Sequence, residues 1–427
     1  MLLTQPNAAG GLGGDDLVSA LRQQFTPPLP ARIGIAVSGG GDSVALMHLL
    51  KDCFCDDPVE LMVATVDHQL RPESRQEAEE VAQMAQQLGL RHDILTWGEG
   101  PEPTGNLQDQ ARRARYALLT AWARQNGIPV LALGHTADDQ AETVIMRLKR
   151  AAGVNGLAGM ARRRTQDGVS LQRPLLGLRR SDLRHYLRAM GRSWIEDPSN
   201  EDETYDRIKT RKALAVLEDL GLTVPALVTV AQNMGKAQTA LGWYAFLTAR
   251  DLAEIKAGAV VFELRKFRTL PDEISHRLMV QALLWVSGGQ YAPRRQPMIE
   301  AVAIAQRGGS STLAGCRILS HRDKIWICRE AATVQQAAGD PGEVWDQRWR
   351  VFAGKLEACE VRPLGAAGVK LCPDWRAEGC PAPVLEVTPS LWREGNLMAA
   401  PLAGFANGCS AEPINSAEEF FASLLSH

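Results

Sequence analysis

The strongest indication of the fold is the segment Ile33-Gly-Ile-Ala-Val-Ser-Gly-Gly-Gly-Asp-Ser, with the Val44-Ala-Leu-Met-His-Leu-Leu that follows it. Its first five residues are mostly apolar and predict a short buried strand, whereas the apolar run after the glycines predicts a helix. Adjacent glycines let the backbone approach an anion closely, and the start of a helix carries a partial positive charge. The segment therefore predicts a strand, a phosphate-binding turn and a helix in direct succession.

The same order of strand and helix repeats along the next hundred residues. Each strand-like apolar run is followed by a helical pattern, the last with apolar residues at i, i+3, i+4 and i+7. Strands are predicted at 33–37, 59–66, 92–97 and 129–133, and helices at 44–50, 73–88, 107–125 and 141–148. This alternation predicts an α/β fold with a doubly wound parallel sheet, whose ligands lie beyond the carboxyl ends of the strands.

The length of 427 residues exceeds the usual size of a single core, so we expect several domains. An N-terminal extension is predicted at 1–30 and the α/β domain at 31–217. A mostly helical domain follows at 218–330 and includes a hairpin at 317–329, before a small C-terminal α+β domain at 331–427.

Composition excludes several classes of protein. No run of eighteen apolar residues occurs, and the N-terminus lacks the pattern of a signal peptide, so neither a membrane span nor export is predicted. The eight cysteines are scattered and contain no Cys-x-x-Cys pair, which argues against a disulfide framework and the common zinc spacings. We therefore expect a cytoplasmic protein with reduced cysteines.

The net charge of -2 conceals a strongly basic stretch. Residues 147–192 contain twelve lysines and arginines and only two acids, which gives this stretch a charge of +10. A basic segment in an otherwise acidic chain predicts either a polyanionic partner or a solvated arginine-rich surface.

The glycine turn has side chains suited to a nucleotide. The hydroxyls of Ser38 and Ser43 can donate hydrogen bonds to phosphate oxygens, and Asp42 can bind the Mg²⁺ that a nucleotide carries. Two familiar phosphate loops are excluded by spacing, because the turn has neither a Gly-Lys-Ser/Thr ending nor a Gly-x-Gly-x-x-Gly pattern.

The Ser-Gly-Gly-x-Asp-Ser pattern after the first strand resembles the pyrophosphatase loop of the N-type ATP pyrophosphatases, the PP-loop superfamily with an adenine nucleotide α-hydrolase-like fold. This resemblance implies that the loop binds the phosphates of ATP. It also implies that AMP is transferred to an oxygen of the substrate, with release of pyrophosphate, and is then displaced by a nucleophile.

Further segments resemble one family within that superfamily, the tRNA(Ile)-lysidine synthetases, and the resemblance is dense from about residue 32 to 215. The segments occur in the family's order: Val66-Asp-His-Gln-Leu-Arg, Asn106-Leu-Gln-Asp-Gln-Ala-Arg-Arg-Ala-Arg-Tyr, Gly134-His-Thr-Ala-Asp-Asp-Gln-Ala-Glu-Thr, Arg173-Pro-Leu-Leu and Asp197-Pro-Ser-Asn-Glu-Asp, then Arg207 and Arg211.

The resemblance implies a ligase that modifies the wobble cytidine of tRNA(Ile) with the anticodon CAU. ATP adenylates the C2 oxygen of that base, and the ε-amine of L-lysine then replaces AMP to give lysidine. The implied ATP-binding residues are Ser38, Gly39, Gly40, Gly41, Asp42 and Ser43, with Asp42 also on Mg²⁺. The implied catalytic residues are Asp42, Arg115, His135, Asp139 and Glu142, and the implied tRNA-binding residues are Arg173, Arg207 and Arg211. Both domains after residue 217 are expected to contact tRNA as well.

Asp139 and Glu142 are three residues apart and therefore share one face of the predicted helix. Two carboxylates suit the ammonium groups of free lysine, which makes them the predicted lysine-binding pair. However, a nearby carboxylate favours the charged, unreactive amine, so one of the acids or His135 must also accept a proton. The residues do not indicate which of the three does so. Acids can also occupy a helix N-terminus simply because they suit its dipole, and we prefer that interpretation for Asp138.

Three other interpretations remain open. A PP-loop tRNA thiolation enzyme would share the loop, but Cys53 and Cys55 are too close together to act as its paired cysteines. A small-molecule amide-forming ATP pyrophosphatase would not require the basic stretch. A non-catalytic RNA-binding protein would not require the intact loop together with His135, Asp139 and Glu142. The sequence makes no prediction of the oligomeric state.

Overall fold

Strand β1 (Arg32–Ala36) lies inside a six-stranded sheet, between two other strands, and four of its five residues are buried. Our computed structural model describes residues 12–98, 100, 107–196, 206–289, 291–354, 356 and 358–425. Contacts divide the chain into two compact units, Met1–Gln238 and Thr239–His427. The finer division into four segments that the sequence suggested stays a prediction.

The sheet of the first unit has the strand order β3-β2-β1-β4-β6-β5, and only β5 runs antiparallel to its neighbour. The strands are β1 (Arg32–Ala36), β2 (Glu60–Asp67), β3 (Arg91–Thr96), β4 (Val130–Leu133), β5 (Arg163–Gln166) and β6 (Val169–Gln172). The four predicted strands and the parallel, doubly wound α/β sheet are therefore confirmed. The β5–β6 hairpin, which falls within the basic stretch, was not predicted.

Helices of the first unit cover both faces of the sheet. They are α1 (Gly14–Arg22), α2 (Gly41–Cys53), α3 (Ser74–Gln87), α4 (Leu107–Gln125), α5 (Ala137–Lys149), α6 (Val154–Leu157), α7 (Arg180–Ala189) and α8 (Asp206–Glu218), and α9 (Val224–Leu252) continues into the second unit. Ile33 and Ile35 pack in one buried cluster with residues of α1, α2, α3 and α7, whereas Ala36 packs in another with Tyr116 and Trp122 of α4. This separation follows from the period of two along a strand.

The order of the strands determines where a ligand can bind. β1 pairs with β2 on one side and with β4 on the other, so the strand order reverses between β1 and β4. In open α/β sheets the crevice at such a switch point, beyond the carboxyl ends of the strands, is the usual ligand site. The turn at 38–43 follows β1 and the segment at 134–136 follows β4, so both lie at this crevice.

The second unit contains three antiparallel sheets. The largest has the order β7-β8-β11-β10-β9, and the smaller two have the orders β12-β13-β17 and β14-β15-β16. The strands are β7 (Ala253–Lys256), β8 (Ala259–Glu263), β9 (Ser311–Leu313), β10 (Cys316–His321), β11 (Lys324–Arg329), β12 (Val344–Trp345), β13 (Trp349–Phe352), β14 (Glu360–Pro363), β15 (Pro389–Arg393), β16 (Asn396–Ala399) and β17 (Ser410–Pro413). The predicted hairpin is confirmed as β10 and β11, in which Ile318 pairs with Ile327.

The helices of this unit include the long α11, which packs on the five-stranded sheet. They are α10 (Leu264–Arg268), α11 (Asp272–Ser287), α12 (Arg295–Gln306), α13 (Ala331–Val334), α14 (Gly365–Leu371), α15 (Ala382–Leu385) and α16 (Ala417–Ser423). Leu278 and Leu283 of α11 are fully buried against Ile318 and Ile327 in one cluster. Within the described ranges, no helix has the length and apolar character needed to cross a bilayer.

Candidate active site

The turn after β1 is closed by its own serines. The backbone N–H of Ser38 donates to the hydroxyl of Ser43 at 3.1 Å, and that hydroxyl donates to the carbonyl of Gly40 at 2.9 Å. Gly40 is the residue before α2 and provides no side-chain cap, so the first N–H groups of the helix are left for an anion. The loop geometry therefore fits the predicted phosphate site.

Two of the glycines lie against another segment, and one of them, Gly39, is required there by close packing. Gly39 has a φ of +89°, and a Cβ built there would lie 2.6 Å from Cδ1 of Ile195. The backbone N–H of Ile195 also donates to the carbonyl of Gly39 at 2.9 Å. A Cβ on Gly41 would lie 3.4 Å from the ring of Trp194. The segment after α7 therefore lies directly on the phosphate loop and holds its backbone.

Three carboxylates from α2 and α5 share one guanidinium group at this crevice. Nε of Arg180 lies 2.9 Å from Oδ2 of Asp42, and its Nη2 lies 2.9 Å from Oδ1 of Asp139. Its Nη1 lies 3.5 Å from Oε1 of Glu142. Arg180 is the first residue of α7, and its backbone N–H donates to Oδ2 of Asp138 at 2.7 Å. Asp138 thus caps α7, a contact more specific than the helix-dipole effect expected from the sequence.

Two arginines of α8 complete this group. Arg207 contacts Oδ1 of Asp139 with Nη2 and Oε2 of Glu142 with Nε, both at 2.6 Å. Nε of Arg211 lies 3.0 Å from Oε1 of Glu142. We call the six residues Asp42, Asp139, Glu142, Arg180, Arg207 and Arg211 the ion-pair cluster. Its formal charges are three negative and three positive, so the cluster is neutral as a whole.

The two carboxylate oxygens of Asp139 have different partners. Its Oδ2 accepts hydrogen bonds from the backbone N–H of Thr136 at 2.8 Å and from the Thr136 hydroxyl at 3.0 Å, forming a capping box. Its Oδ1 faces Arg180 and Arg207. Although burial opposes ionisation, these arginines lower the pKa of Asp139. For Asp42, burial outweighs Arg180 and raises the pKa.

His135 follows β4 and lies between opposite charges. Burial lowers the pKa of His135 to about 3, assisted by the charge of Arg173 and opposed by Asp139. Its Nδ1 is buried and has no hydrogen-bond partner among the described residues. His135 is therefore a neutral imidazole at ordinary pH, with one ring nitrogen available for a ligand.

A cavity of about 200 Å³ opens beside the phosphate loop at the ends of β1 and β2. Its walls include Ser38, Val66, His68, Arg71 and Arg115. The walls combine apolar side chains of the two strands with two arginines. This lining suits an adenine nucleoside next to phosphates that the loop binds.

The structure thus brings together most of the residues implied by the family pattern. Asp42, Asp139 and Glu142 meet in the ion-pair cluster, and Arg115 and His135 lie at the same crevice. Arg207 and Arg211, implied as tRNA contacts, have their guanidinium groups on the carboxylates in this structure, and their contact with tRNA stays a prediction. Asn106 and Asp197-Pro-Ser-Asn-Glu-Asp fall outside the described residues.

Arg180 was missed by sequence reasoning, which counted it only within the basic stretch. One signal was available. Asp138, Asp139 and Glu142 lie near the start of one helix and Asp42 at the start of another, and both helices begin at the same crevice, so buried acids there needed a cation. Arg179 and Arg180, directly after the Arg173-Pro-Leu-Leu segment, were the available candidates.

The chain is similar to several known proteins. A family model described as a PP-loop domain matches residues 16–218. The chain is 55% identical to a tRNA(Ile)-lysidine synthase of Ruegeria pomeroyi over 97% of this chain and 99% of that protein. It is 32% identical to a tRNA(Ile)-lysidine synthase of Wolbachia pipientis, covering 87% of this chain and 88% of that one. Among solved structures, a U34-tRNA thiolase of Methanococcus maripaludis is 15% identical with a TM-score of 0.47, covering 55% of this chain and 89% of that one.

Proposed function

The chain belongs to the tRNA(Ile)-lysidine synthase family, an ATP-using group of tRNA-modifying ligases, and on that basis we propose its specific substrates and the roles of its residues. The protein joins L-lysine to C2 of the wobble cytidine in tRNA(Ile) with the anticodon CAU. The observation that carries this proposal is the position of the ion-pair cluster. It links the first turn of α2, beside the phosphate loop, to the first turn of α5 through Arg180.

The proposed reaction has two steps. The C2 oxygen of the cytidine attacks the α-phosphorus of ATP, a phosphorus–oxygen bond forms, and pyrophosphate leaves. The neutral ε-amine of lysine then attacks C2, the bond from C2 to the adenylate oxygen breaks, and AMP leaves while the amine loses a proton. The first step needs a site for the phosphates of ATP, the second needs a site for the amine, and the two sites must share one crevice. This supports the assignment of the loop to the phosphates and of the ion-pair cluster to the amine.

Asp42 supports the proposal that Mg²⁺ accompanies ATP. Arg180 contacts Oδ2 of Asp42, while Oδ1 has no hydrogen bond to any residue that the structure describes. Mg²⁺ is usually held by one or two carboxylates together with substrate phosphates, so a single free carboxylate oxygen beside a phosphate loop fits it. When bound, the ion would neutralise charge on the phosphates, and Asp42 would hold it at the start of α2.

The neutrality of the ion-pair cluster addresses a difficulty with a lysine substrate. Free lysine carries a side-chain ammonium with a pKa of about 10.4, and carboxylates alone would raise that value further. In the cluster each carboxylate is already matched by a guanidinium group. An amine that enters therefore meets no net negative charge, and its removal from water favours the neutral, nucleophilic form.

The two arginines of α8 suit the other end of the substrate. Free lysine is a zwitterion whose α-carboxylate needs a cationic partner. Arg207 and Arg211 have side chains that are 40% and 39% exposed, so each can exchange a contact with Glu142 for one with an incoming carboxylate. We therefore assign lysine binding to Asp139, Glu142, Arg207 and Arg211 together.

His135 is assigned a hydrogen-bonding role. A histidine whose pKa is lowered to about 3 is a weak base at neutral pH, so it is poorly suited to accept the proton of the amine. Burial opposes ionisation of Asp139, but Arg207 and Arg180 lower its pKa, so it is a weak base as well, which leaves Glu142 as the acceptor among the three groups that the sequence offered. The tRNA substrate and the eight cysteines, which form no disulfide within the described residues, support the cytoplasm as the compartment.

The experiment that tests the proposed function is mass analysis of a tRNA(Ile) transcript with the anticodon CAU, incubated with the protein, ATP and isotope-labelled lysine. We expect one labelled lysine on the wobble cytidine, with AMP and pyrophosphate formed in equal amount. Reactions without lysine and with a methionine tRNA transcript of the same anticodon are the controls. Labelling of the methionine tRNA, or AMP formation without labelled RNA, would contradict the proposed specificity.

A further inference from the structure

A second group of arginines in the catalytic domain surrounds a buried tyrosine. Cζ of Arg112 lies 5.2 Å from the ring centroid of Tyr116, and Cζ of Arg164 lies 5.6 Å from it. Nη2 of Arg112 also donates to the Tyr116 hydroxyl at 3.4 Å. Arg173, directly after β6, lies beside the same hydroxyl. We call Tyr116, Arg112, Arg164 and Arg173 the tyrosine–arginine cluster.

The arginines of this cluster differ from those of the ion-pair cluster in their partners. Among the residues that the structure describes, none of the three forms an ion pair with a carboxylate, although most arginines of the ion-pair cluster form two or more. Arg164 donates from Nη2 to the amide oxygen of Gln166, and Arg173 donates from Nη1 to the carbonyl of Ala161 at 2.7 Å. Three like charges around one ring repel one another, so the arrangement is suited to binding an anion.

Arg173 provides an independent indication of a ligand. The residue is only 4% exposed, yet its Nε is buried without a hydrogen-bond partner in the described part of the chain. Burial, with the nearby charges of Arg164 and Arg112, lowers the pKa of Arg173. An unpartnered donor on a buried cation is costly, and a bound anion would satisfy both the charge and the donor.

We propose that the tyrosine–arginine cluster binds a backbone phosphate of the RNA substrate beside the nucleotide that reacts. This rests on the proposed function, in which the substrate is RNA. Guanidinium groups bind phosphate oxygens through paired N–H donors, and the cluster offers three such groups. Its position fits a phosphate next to the reacting base, because the charge of Arg173 already acts on His135 at the end of β4.

The position also separates this phosphate from those of ATP. The phosphate loop follows β1, whereas Arg173 follows β6, and β4 lies between these two strands. Neighbouring strands are about 4.8 Å apart, so the two sites are separated by about two strand spacings, on the order of 10 Å. That distance leaves room for the reacting base between the nucleotide and the RNA backbone.

Arg164→Gln is the variant that tests the proposal. Arg164 lies exposed on the edge strand β5, so its loss should not unfold the domain. The matched control is Arg163→Gln, an equal loss of charge at the exposed neighbouring position of the same strand, whose side chain points to the other face. We expect Arg164→Gln to weaken binding of the tRNA transcript by about tenfold to a hundredfold, the range for hydrogen bonds to charged groups. Arg163→Gln should bind like the wild type.

Single methylphosphonate linkages in an anticodon stem–loop RNA identify the phosphate itself. One linkage near the wobble position should weaken binding to the wild type as much as Arg164→Gln does, and should have no further effect on that variant. Arg112→Gln should show the same non-additivity, and melting curves of both variants check their folding.

Three outcomes would overturn the proposal. The first is a higher KM for ATP with unchanged RNA affinity in Arg164→Gln and Arg112→Gln, which would assign the cluster to the nucleotide. The second is an equal effect of every methylphosphonate linkage, and the third is equal RNA affinity of Arg163→Gln and Arg164→Gln; either would indicate diffuse charge. Lysine transfer by the wild type is measured on the unaltered RNA in parallel, so that failure of the proposed function is recognised separately from failure of phosphate binding.

Discussion

Two groups of three arginines lie in the same α/β domain and differ in what surrounds them. In the ion-pair cluster, Arg180, Arg207 and Arg211 are matched by three carboxylates, and Glu142 is 1% exposed. In the tyrosine–arginine cluster, the guanidinium groups surround Tyr116, and no carboxylate within the described ranges pairs with them. The charges of the first group balance one another, whereas the positive charge of the second group would be balanced by a bound anion.

This difference shows why the charge of a segment is a poor guide to its partner. Arg164, Arg173 and Arg180 all belong to the stretch 147–192 with its charge of +10. Of these three arginines, Arg180 is paired with carboxylates of the protein, whereas Arg164 and Arg173 are available to bind a polyanion. A surface for RNA is therefore recognised by arginines without partners, since paired arginines contribute little to an external field.

The difference between the two arginine clusters should appear most strongly in the salt dependence of tRNA binding. Raising the salt from 50 to 200 mM should weaken binding on the order of a thousandfold if about six phosphates are contacted, because each contact releases counterions. The slope of log affinity against log salt should fall by about 1 in Arg164→Gln. It should be unchanged in Arg211→Gln, because Arg211 is paired with Glu142. Equal slopes in the two variants would remove the distinction between the clusters.

Asp42→Asn separates catalysis from RNA binding. This change removes the charge that contacts Arg180 and is proposed to hold Mg²⁺, so AMP formation should fall by about 10²–10³-fold, the usual cost of losing one electrostatic contact to a transition state. RNA affinity should remain that of the wild type, as measured by filter binding. Asp182→Asn, in the first turn of α7, is the control and should keep its activity. A parallel loss of RNA affinity in Asp42→Asn would argue that the ion-pair cluster also holds RNA.

Glu142→Ala tests whether the ion-pair cluster stabilises the domain. Removing one partner of a buried ion pair costs about 3–5 kcal/mol, and we expect about 3 kcal/mol because Arg207 and Arg211 can turn toward solvent. For a domain of this size, that corresponds to a melting temperature lower by about 6–12 °C. Arg164→Gln, in the other cluster, should leave the melting temperature nearly unchanged. A larger loss in Arg164→Gln than in Glu142→Ala would reverse the comparison.

The elements of the α/β domain could be predicted from the sequence because their signals are local. Ile33 and Ile35 alternate with the residues between them, and the helices show a period of 3.6, so both patterns are visible within a short window. The β5–β6 hairpin was not visible in this way, since each strand has only four residues and β5 has three polar or charged residues exposed.

The site could be predicted only in part, for a related reason. Ser38 and His135 lie just after strands, and Asp42 starts the helix that follows β1. Because the carboxyl ends of parallel strands meet at one edge of the sheet, the topology alone predicted that these residues lie at one crevice. Arg180 contacts Asp42 from 138 residues away in the chain. Such an ion pair leaves no periodic pattern, and the sequence could not show which arginines of the basic stretch would be paired.

The pH dependence of stability gives the smallest expected effect and concerns His135, which lies under the influence of both clusters. Arg173 and burial lower the pKa of His135 to about 3, against the pull of Asp139. As the pH falls below about 6.5, the unfolded chain binds a proton that the folded protein does not, so the stability that is present above this pH is lost progressively down to about pH 3. At pH 5 the loss amounts to at most about 2 kcal/mol, or about 4–8 °C in melting temperature.

The variant His135→Asn removes this linkage and keeps a neutral polar side chain. Its melting temperature should therefore fall less than that of the wild type between pH 7 and pH 5, by about 4–8 °C. His185→Asn, at an exposed position of α7, controls for the loss of any histidine and should follow the wild type. If His135→Asn also follows the wild type, then His135 is protonated in the folded protein at pH 5. In that case the charge of Asp139 affects the pKa of His135 more than the charge of Arg173 does. The arginines of the tyrosine–arginine cluster then do not act on the end of β4.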